Sequence, residues 1–245
     1  MSIAFFDVDG TLLPQPSLEH RFFWNLLRDA RIPAGNYFRC AAEMFRLGIA
    51  PFSPAAQSNK MYLRGVATDV ISEMGSPGSR HWVPAFFPAA IRRVWWHSLR
   101  GDTIVLVTGT LTLLAEIVKS ALERELLWRG VETRIAVMAT QLQERDGRWT
   151  GRMVGAPMFG NAKAVAVQQF AGSRGVPLGR CFAYGDHPLD RLMLEAVGSP
   201  FAVNPGLRLR RLAQSNGWQV LHWSPCPRRT SVARHALKWK GEVAR

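Results

Sequence analysis

The chain opens on an apolar run, Ile3 to Val8, that stops at Asp9-Gly10. A short run that is apolar at nearly every position and closed by glycine fits a strand buried on both faces and followed by a tight loop. From Ser17 to Arg31 the pattern changes to helical spacing, with Ser17 placed to cap the first turn. Residues 36 to 47 and 54 to 74 repeat the helical period, and the stretch Gly75 to Ser79 (Gly-Ser-Pro-Gly-Ser) breaks it. Residues 14 to 82 therefore predict helices and no strand. Beyond them strands and helices alternate. A helix is predicted over Phe86 to Leu99, then a strand over Thr103 to Val107 that runs into Thr108-Gly109-Thr110. A helix over about 111 to 128 and a strand over Val131 to Met138 follow. Asp146-Gly147 between Glu144 and Arg152 signals a hairpin. Asn161 to Phe170 opens another helix. Further strands fall at Arg180 to Tyr184, ending on Gly185-Asp186, at Ser199 to Val203 and at Gly217 to His222.

This alternation predicts an α/β fold, a parallel sheet with helices on both faces. Its core is formed by residues 1 to 13 and 83 to 245, with a helical unit from 14 to 82 inserted. In such sheets ligands bind beyond the carboxyl ends of the strands. Asp7 and Asp9 follow the first strand, Thr108 the second and Asp186 the fourth, so distant segments deliver polar groups to one rim.

Composition narrows the partners. With 47% hydrophobic residues in 245, the chain can bury a real core. It carries 31 Lys and Arg against 18 acids, a net +13, which attracts anions such as phosphorylated metabolites, nucleic acid or acidic membrane. Nine of the basic residues lie between Gly206 and Arg245, against one acid, Glu242. Cys40, Cys181 and Cys226 form no metal or redox motif and suit a reducing compartment. No signal peptide and no apolar run long enough to span a membrane is visible, so a cytoplasmic location is expected.

The predicted rim holds what phosphate-ester chemistry requires: a nucleophile, a proton source, a cation and donors for phosphoryl oxygens. Asp7 and Asp9 stand two apart at a strand end, where both can face one pocket. Adjacent carboxylates repel and call for a cation or a shared proton, and hard oxygen ligands without His or Cys favour Mg²⁺, with Asp186 as third carboxylate. Gly10 allows a sharp turn and opens amide N–H groups to phosphate. Thr108 offers a hydroxyl and Gly109 an approachable amide. Lys163 sits at a helix start, where ammonium and helix N-terminus can both hold phosphate.

The set Asp7-Val-Asp9-Gly-Thr11, Thr108, Lys163 and Gly185-Asp186-His-Pro-Leu-Asp190 resembles, in order and spacing, the four motifs of the haloacid dehalogenase superfamily. The resemblance is to subfamily IB, the phosphoserine-phosphatase-like group, with a Rossmann-like core and a C1-type helical cap. It implies a Mg²⁺-dependent phosphatase acting through a phospho-aspartyl intermediate on a small phosphorylated metabolite. Asp7 is then nucleophile and metal ligand. Asp9 is general acid/base and gives the metal its carbonyl. Thr108 and Lys163 hold the phosphoryl group, Asp186 ligates Mg²⁺, and Asp190 bonds Lys163 or a metal water. Two positions depart from the pattern: Pro16 stands where phosphoserine phosphatases carry a substrate-reading Glu, leaving Glu19 as the nearest acid, and His187 stands where Ser is common.

Alternatives remain at this level. A lipid or prenyl phosphatase near a membrane, a phosphotransferase using the same chemistry, and a non-catalytic relative all share these residues. Phe22, Phe23, Trp24, Phe38 and Phe45 are expected to pack a cap core, with an apolar substrate wall as the other reading. Val232, Ala236, Trp239 and Val243 form a stripe on a basic tail, which reads as a docked terminal helix or as a contact with anionic lipid. Nucleic-acid binding has no recognisable motif. The substrate and the oligomeric state are not legible.

Overall fold

The computed structural model describes residues 1–46, 48, 59–71 and 85–225. Seven strands form one sheet in the order β4-β3-β2-β1-β5-β6-β7. They are β1 (Ile3–Phe6), β2 (Thr103–Leu111), β3 (Ile135–Arg145), β4 (Arg148–Val154), β5 (Phe182–Gly185), β6 (Ser199–Val203) and β7 (Gln219–Leu221). All neighbours are parallel except β3 and β4, which form the antiparallel hairpin signalled by Asp146-Gly147. This is the α/β architecture expected from the alternation of apolar runs.

Every residue of β1 is buried, because its two faces meet two separate cores. Ala4 and Phe6 join Ile104 and Leu106 on one face. There they meet α3 (Pro88–Leu99) through Ala90, Ile91 and Val94, and α4 (Thr112–Trp128) through Leu114, Val118 and Leu122. Ile3 and Phe5 join Val105 and Val107 on the other. That face is covered by α5 (Asn161–Ser173), α6 (Arg191–Glu195) and α7 (Leu207–Ser215), through Val167, Met193, Leu194 and Leu209. The period of two along each strand thus splits one apolar run between two helix layers.

The inserted segment begins with α1 (Leu18–Arg28), whose first turn is capped by Ser17 Oγ accepting from His20 N at 3.3 Å. Leu18, Phe22 and Leu26 of α1 pack into the first core. A second helix, α2 (Gly35–Arg46), follows. The helix expected over 54 to 74 is corrected by the structure. Among the described residues of that stretch a 3₁₀ turn forms at Met61–Leu63, the backbone leaves helical geometry at Gly65, with φ +76°, and helix resumes at Val70 and Ile71. The reason is a competing partner. Gly65 N donates to Trp149 O at 2.7 Å and Trp149 N to Val66 O at 3.0 Å, so the hairpin tip takes the backbone groups a helix would use. The start of the third strand also shifts, to Ile135, since Val131 N caps α4 by donating to Leu126 O.

Of the aromatic residues expected to pack the cap, Phe22 is buried and Phe23 is partly buried. Trp24, Phe38 and Phe45 are exposed, so the expectation fails for these three. The basic tail from Cys226 to Arg245 lies outside the described residues. No helix among the described residues is long and apolar enough to cross a membrane.

Candidate active site

A cleft of about 610 Å³ opens at the carboxyl ends of the strands. Asp7, Asp9, Thr108, Gly109, Lys163, Asp186 and Asp190 all line it, on segments drawn from three adjacent strands and from the first turn of α5. Asp7 follows β1 directly, and its N–H donates to Tyr184 O of β5 at 2.9 Å, so the ladder carries the register one residue beyond the strand. Lys163 is buried and lies between two carboxylates, with Nζ 2.5 Å from Asp7 Oδ1 and 2.6 Å from Asp190 Oδ1. Asp190 spends its other oxygen on the His187 N–H at 3.1 Å. Both of its oxygens are therefore engaged, which fixes the loop after β5.

Asp9 faces differently. Its Oδ2 accepts from Thr110 Oγ1 at 2.6 Å and its Oδ1 from Leu18 N at 2.7 Å. Two donors thus turn this carboxylate away from Lys163 and toward the entrance of α1. Thr110 was not singled out by sequence, although it is the second threonine of Thr108-Gly109-Thr110. Its own N–H donates to Thr108 Oγ1 at 3.2 Å, so the two threonines brace each other.

Burial and like charges act together here. Desolvation, opposed by the Lys163 ammonium and reinforced by Asp190, raises Asp7 to about 7. Desolvation together with Asp7 and Asp190 raises Asp186 to about 9. Burial also raises Asp9, against the two hydrogen bonds that favour its charged form. Lys163 is buried as well, yet Asp190 and Asp7 outweigh its desolvation and push it up, so its charge is held. One ammonium among these carboxylates leaves them in excess when they are ionised, which a divalent cation would relieve.

Carboxylate oxygens of Asp7, Asp186 and Asp190 lie within 4.8 Å of one another. The donors are hard oxygens, and no Cys or His belongs to this cluster, which fits Mg²⁺ rather than a softer metal. Gly10 makes room for the arrangement. A Cβ there would fall 2.0 Å from Asp186 Oδ2, and φ is +85°. Gly10→Ala is therefore expected to lower unfolding stability by about 1–3 kcal/mol, read by denaturant midpoint.

Sequence missed the opposite wall. Glu19 and His20 of α1, Phe23, Asn59, Lys60 and Tyr62 line the cleft facing the carboxylates. Phe159 also lines it, beside Gly109, where an added Cβ would fall 1.8 Å from the ring. Glu19 stands three residues past Pro16, and no local pattern connects it to Lys60 and Tyr62, some forty positions later.

A mostly parallel α/β sheet with a carboxylate–lysine–carboxylate cluster on its rim defines a Rossmann-like enzyme fold suited to phosphate chemistry. The chain belongs to the haloacid dehalogenase-like hydrolase family, whose model matches residues 4–195. It is 36% identical over 141 residues to a probable phosphatase of Mycobacterium tuberculosis, covering 58% of this chain and 45% of that one. The chain thus spans less than half the length of that relative. It is 29% identical over 232 residues to a phosphoserine phosphatase of the same organism, covering 89% of this chain and 69% of that one. Among solved structures, a Bordetella pertussis protein of unknown function matches with a TM-score of 0.68 at 30% identity, covering 90% of this chain and 97% of that one.

Proposed function

We propose that the protein is a Mg²⁺-dependent phosphatase that transfers the phosphoryl group of a small, polar phosphate ester to Asp7 and then to water. The observation that carries this reading is the division of labour between two carboxylates. Asp7 shares the buried Lys163 with Asp190, whereas Asp9 is held at the start of α1 by Thr110 and Leu18.

In this reading an Asp7 carboxylate oxygen attacks phosphorus in line with the ester oxygen. The P–O bond to the alcohol breaks, and Asp9 gives its proton to the leaving oxygen. Burial raises Asp9, the direction a proton donor needs, against the Thr110 and Leu18 hydrogen bonds that lower it. Asp9 then takes a proton from water as water attacks the phospho-aspartate, releasing phosphate and restoring Asp7. Lys163 and Thr108 hold phosphoryl oxygens in both steps. Asp7, Asp186 and the backbone carbonyl of Asp9 would hold Mg²⁺, which when bound neutralises phosphoryl charge. The residues of 14 to 82 act as a cap that excludes bulk water and reads the alcohol part.

The wall facing the carboxylates favours a polar metabolite over a lipid or prenyl ester. It is built from Gln15, Ser17, Glu19, His20, Asn59, Lys60 and Tyr62, with Phe23 the one apolar side chain that segment supplies among the described residues. Phe38 and Phe45, which would have made an apolar wall, are not part of it. The relative named as a phosphoserine phosphatase supports the same class of ester.

The test is phosphate release from a panel of phosphomonoesters with and without Mg²⁺. Metal-dependent release from polar esters supports the proposal; release that persists in full after chelation contradicts it. A second result follows from charge. Carboxylates raised from 3.8 to about 7 and about 9 bind more protons in the folded than in the unfolded chain, so the metal-free fold loses stability as pH rises from the ordinary carboxylate value up through those two values. Mg²⁺ competes with those protons. Its stabilisation in thermal unfolding is expected to be larger at pH 8.5 than at pH 6. An increment independent of pH would contradict this.

A further inference from the structure

Lys60 is a buried cation that the proposed phosphoryl transfer does not use; its side chain is 2% exposed. Its ammonium bonds Glu19 Oε1, and the Tyr62 hydroxyl donates to the same oxygen at 2.9 Å. Among the described residues, Glu19 Oε2 has no hydrogen-bond partner. Glu19, Lys60 and Tyr62 all line the cleft.

We propose that Glu19 selects the leaving group, its Oε2 accepting a hydrogen bond from a hydroxyl or ammonium on the alcohol part of the ester, while Lys60 and Tyr62 aim it. The inference rests on the phosphatase reading above. It assigns the selecting role to a residue twelve positions past Asp7, on the first turn of α1.

The support behind this carboxylate is rigid. Asn36 is fully buried and donates to Tyr62 O at 3.0 Å and Arg64 O at 2.7 Å. Asn59 Oδ1 accepts from Met61 N at 3.0 Å, and the Phe23 ring stands edge-on to Tyr62 with centroids 5.4 Å apart. The hairpin tip fixes Gly65 and Val66 through Trp149. A side chain held this way presents its open oxygen in one place, which is what selection by a single hydrogen bond needs.

The reach is short. Asp9 Oδ1 accepts from Leu18 N at 2.7 Å, and Leu18 adjoins Glu19 in the first turn of α1, so the two carboxylates share one end of the cleft. An alcohol of a few carbons, with its ester oxygen beside Asp9, brings its far end to Glu19. The Lys60 ammonium balances the Glu19 charge locally, so the subsite selects by hydrogen bond more than by net charge. An apolar end would cover Oε2 without pairing it, at the cost of its lost hydration.

The test compares 2-hydroxyethyl, 2-aminoethyl and n-propyl phosphate, which are close in size. The wild-type kcat/KM for at least one donor-bearing ester is expected to exceed that for n-propyl phosphate by about 10–100-fold. The stronger arm identifies the donor as hydroxyl or ammonium. In Glu19→Gln the amide oxygen stays with Lys60 and Tyr62, and the amide NH₂ replaces the open acceptor. The ratio is then expected to shrink about tenfold for the ammonium ester, and less for the hydroxyl ester, which can accept as well as donate. Tyr62→Phe keeps Glu19 but removes one bond that aims it, and is expected to shrink the ratio a few-fold. A ratio near one in the wild type, or one unchanged in both variants, overturns the assignment. Hydrolysis of p-nitrophenyl phosphate that is lost in Asp7→Asn reports the phosphoryl chemistry separately. If it persists while the ratios are flat, only the role of Glu19 falls; if it is absent, both proposals fall.

Discussion

Asp7→Asn is expected to reduce phosphate release by about 10⁴-fold or more while leaving the fold intact. The amide keeps the shape of the carboxylate, and its oxygen can still accept from Lys163. It cannot act as the attacking anion. Stability should hold because Asp7 is a carboxylate held against its preference, with burial raising it to about 7. A neutral residue removes that desolvation penalty along with the repulsion from Asp190 and Asp9. The measurement pairs steady-state turnover with a denaturant midpoint. Retained turnover would remove Asp7 from the chemistry, whereas a collapsed midpoint would make the loss uninformative about mechanism and contradict the electrostatic account.

Lys163→Met is expected to cost both activity and stability. The ammonium is buried and bonded to Asp7 and Asp190, and both raise it despite its burial. Removing one member of a buried charge network leaves its partners uncompensated, at a cost of about 3–5 kcal/mol. In the proposed mechanism Lys163 also holds the transferring phosphoryl group, and its loss is expected to cost about 10³-fold in kcat. The two effects separate in a double variant. Adding Asp190→Asn removes one orphaned charge and should recover part of the stability without restoring turnover. Recovery of turnover in the double variant would show that Lys163 acts only through the fold.

The fold was legible because its strands carry their burial in the sequence. Ile3 to Val8, Thr103 to Val107 and Ser199 to Val203 are apolar runs that become β1, β2 and β6, and a residue buried on either face leaves the same signature. The rim residues were legible for a related reason. Asp7, Thr108 and Asp186 each follow such a run, so a strand-end rule places them together before any contact is known. Lys163 and Asp190 needed the spacing of all the motifs at once.

Other features had no local signature. The segment after residue 54 has helical spacing, yet Gly65 and Val66 pair with Trp149, more than eighty positions away. Tertiary hydrogen bonds outcompete a weak helical preference there. Glu19, Lys60 and Tyr62 meet only because α1 and the 3₁₀ turn pack on the same hairpin. Thr110 sits beside Thr108 in sequence, but its bond to Asp9 joins two strand ends. The exposure of Phe38 and Phe45 shows the opposite failure, in which a helical aromatic pattern was read as core where those side chains face outward.

Passage of the phosphoryl group through Asp7 is tested by quenching the enzyme with acid during turnover, reducing with borohydride and sequencing the peptides by mass spectrometry. Borohydride reduces an acyl phosphate to the alcohol, so homoserine at position 7 is the expected result, dependent on substrate and absent without it. Homoserine at another position, or continued turnover with Asp7 never modified, would contradict the account.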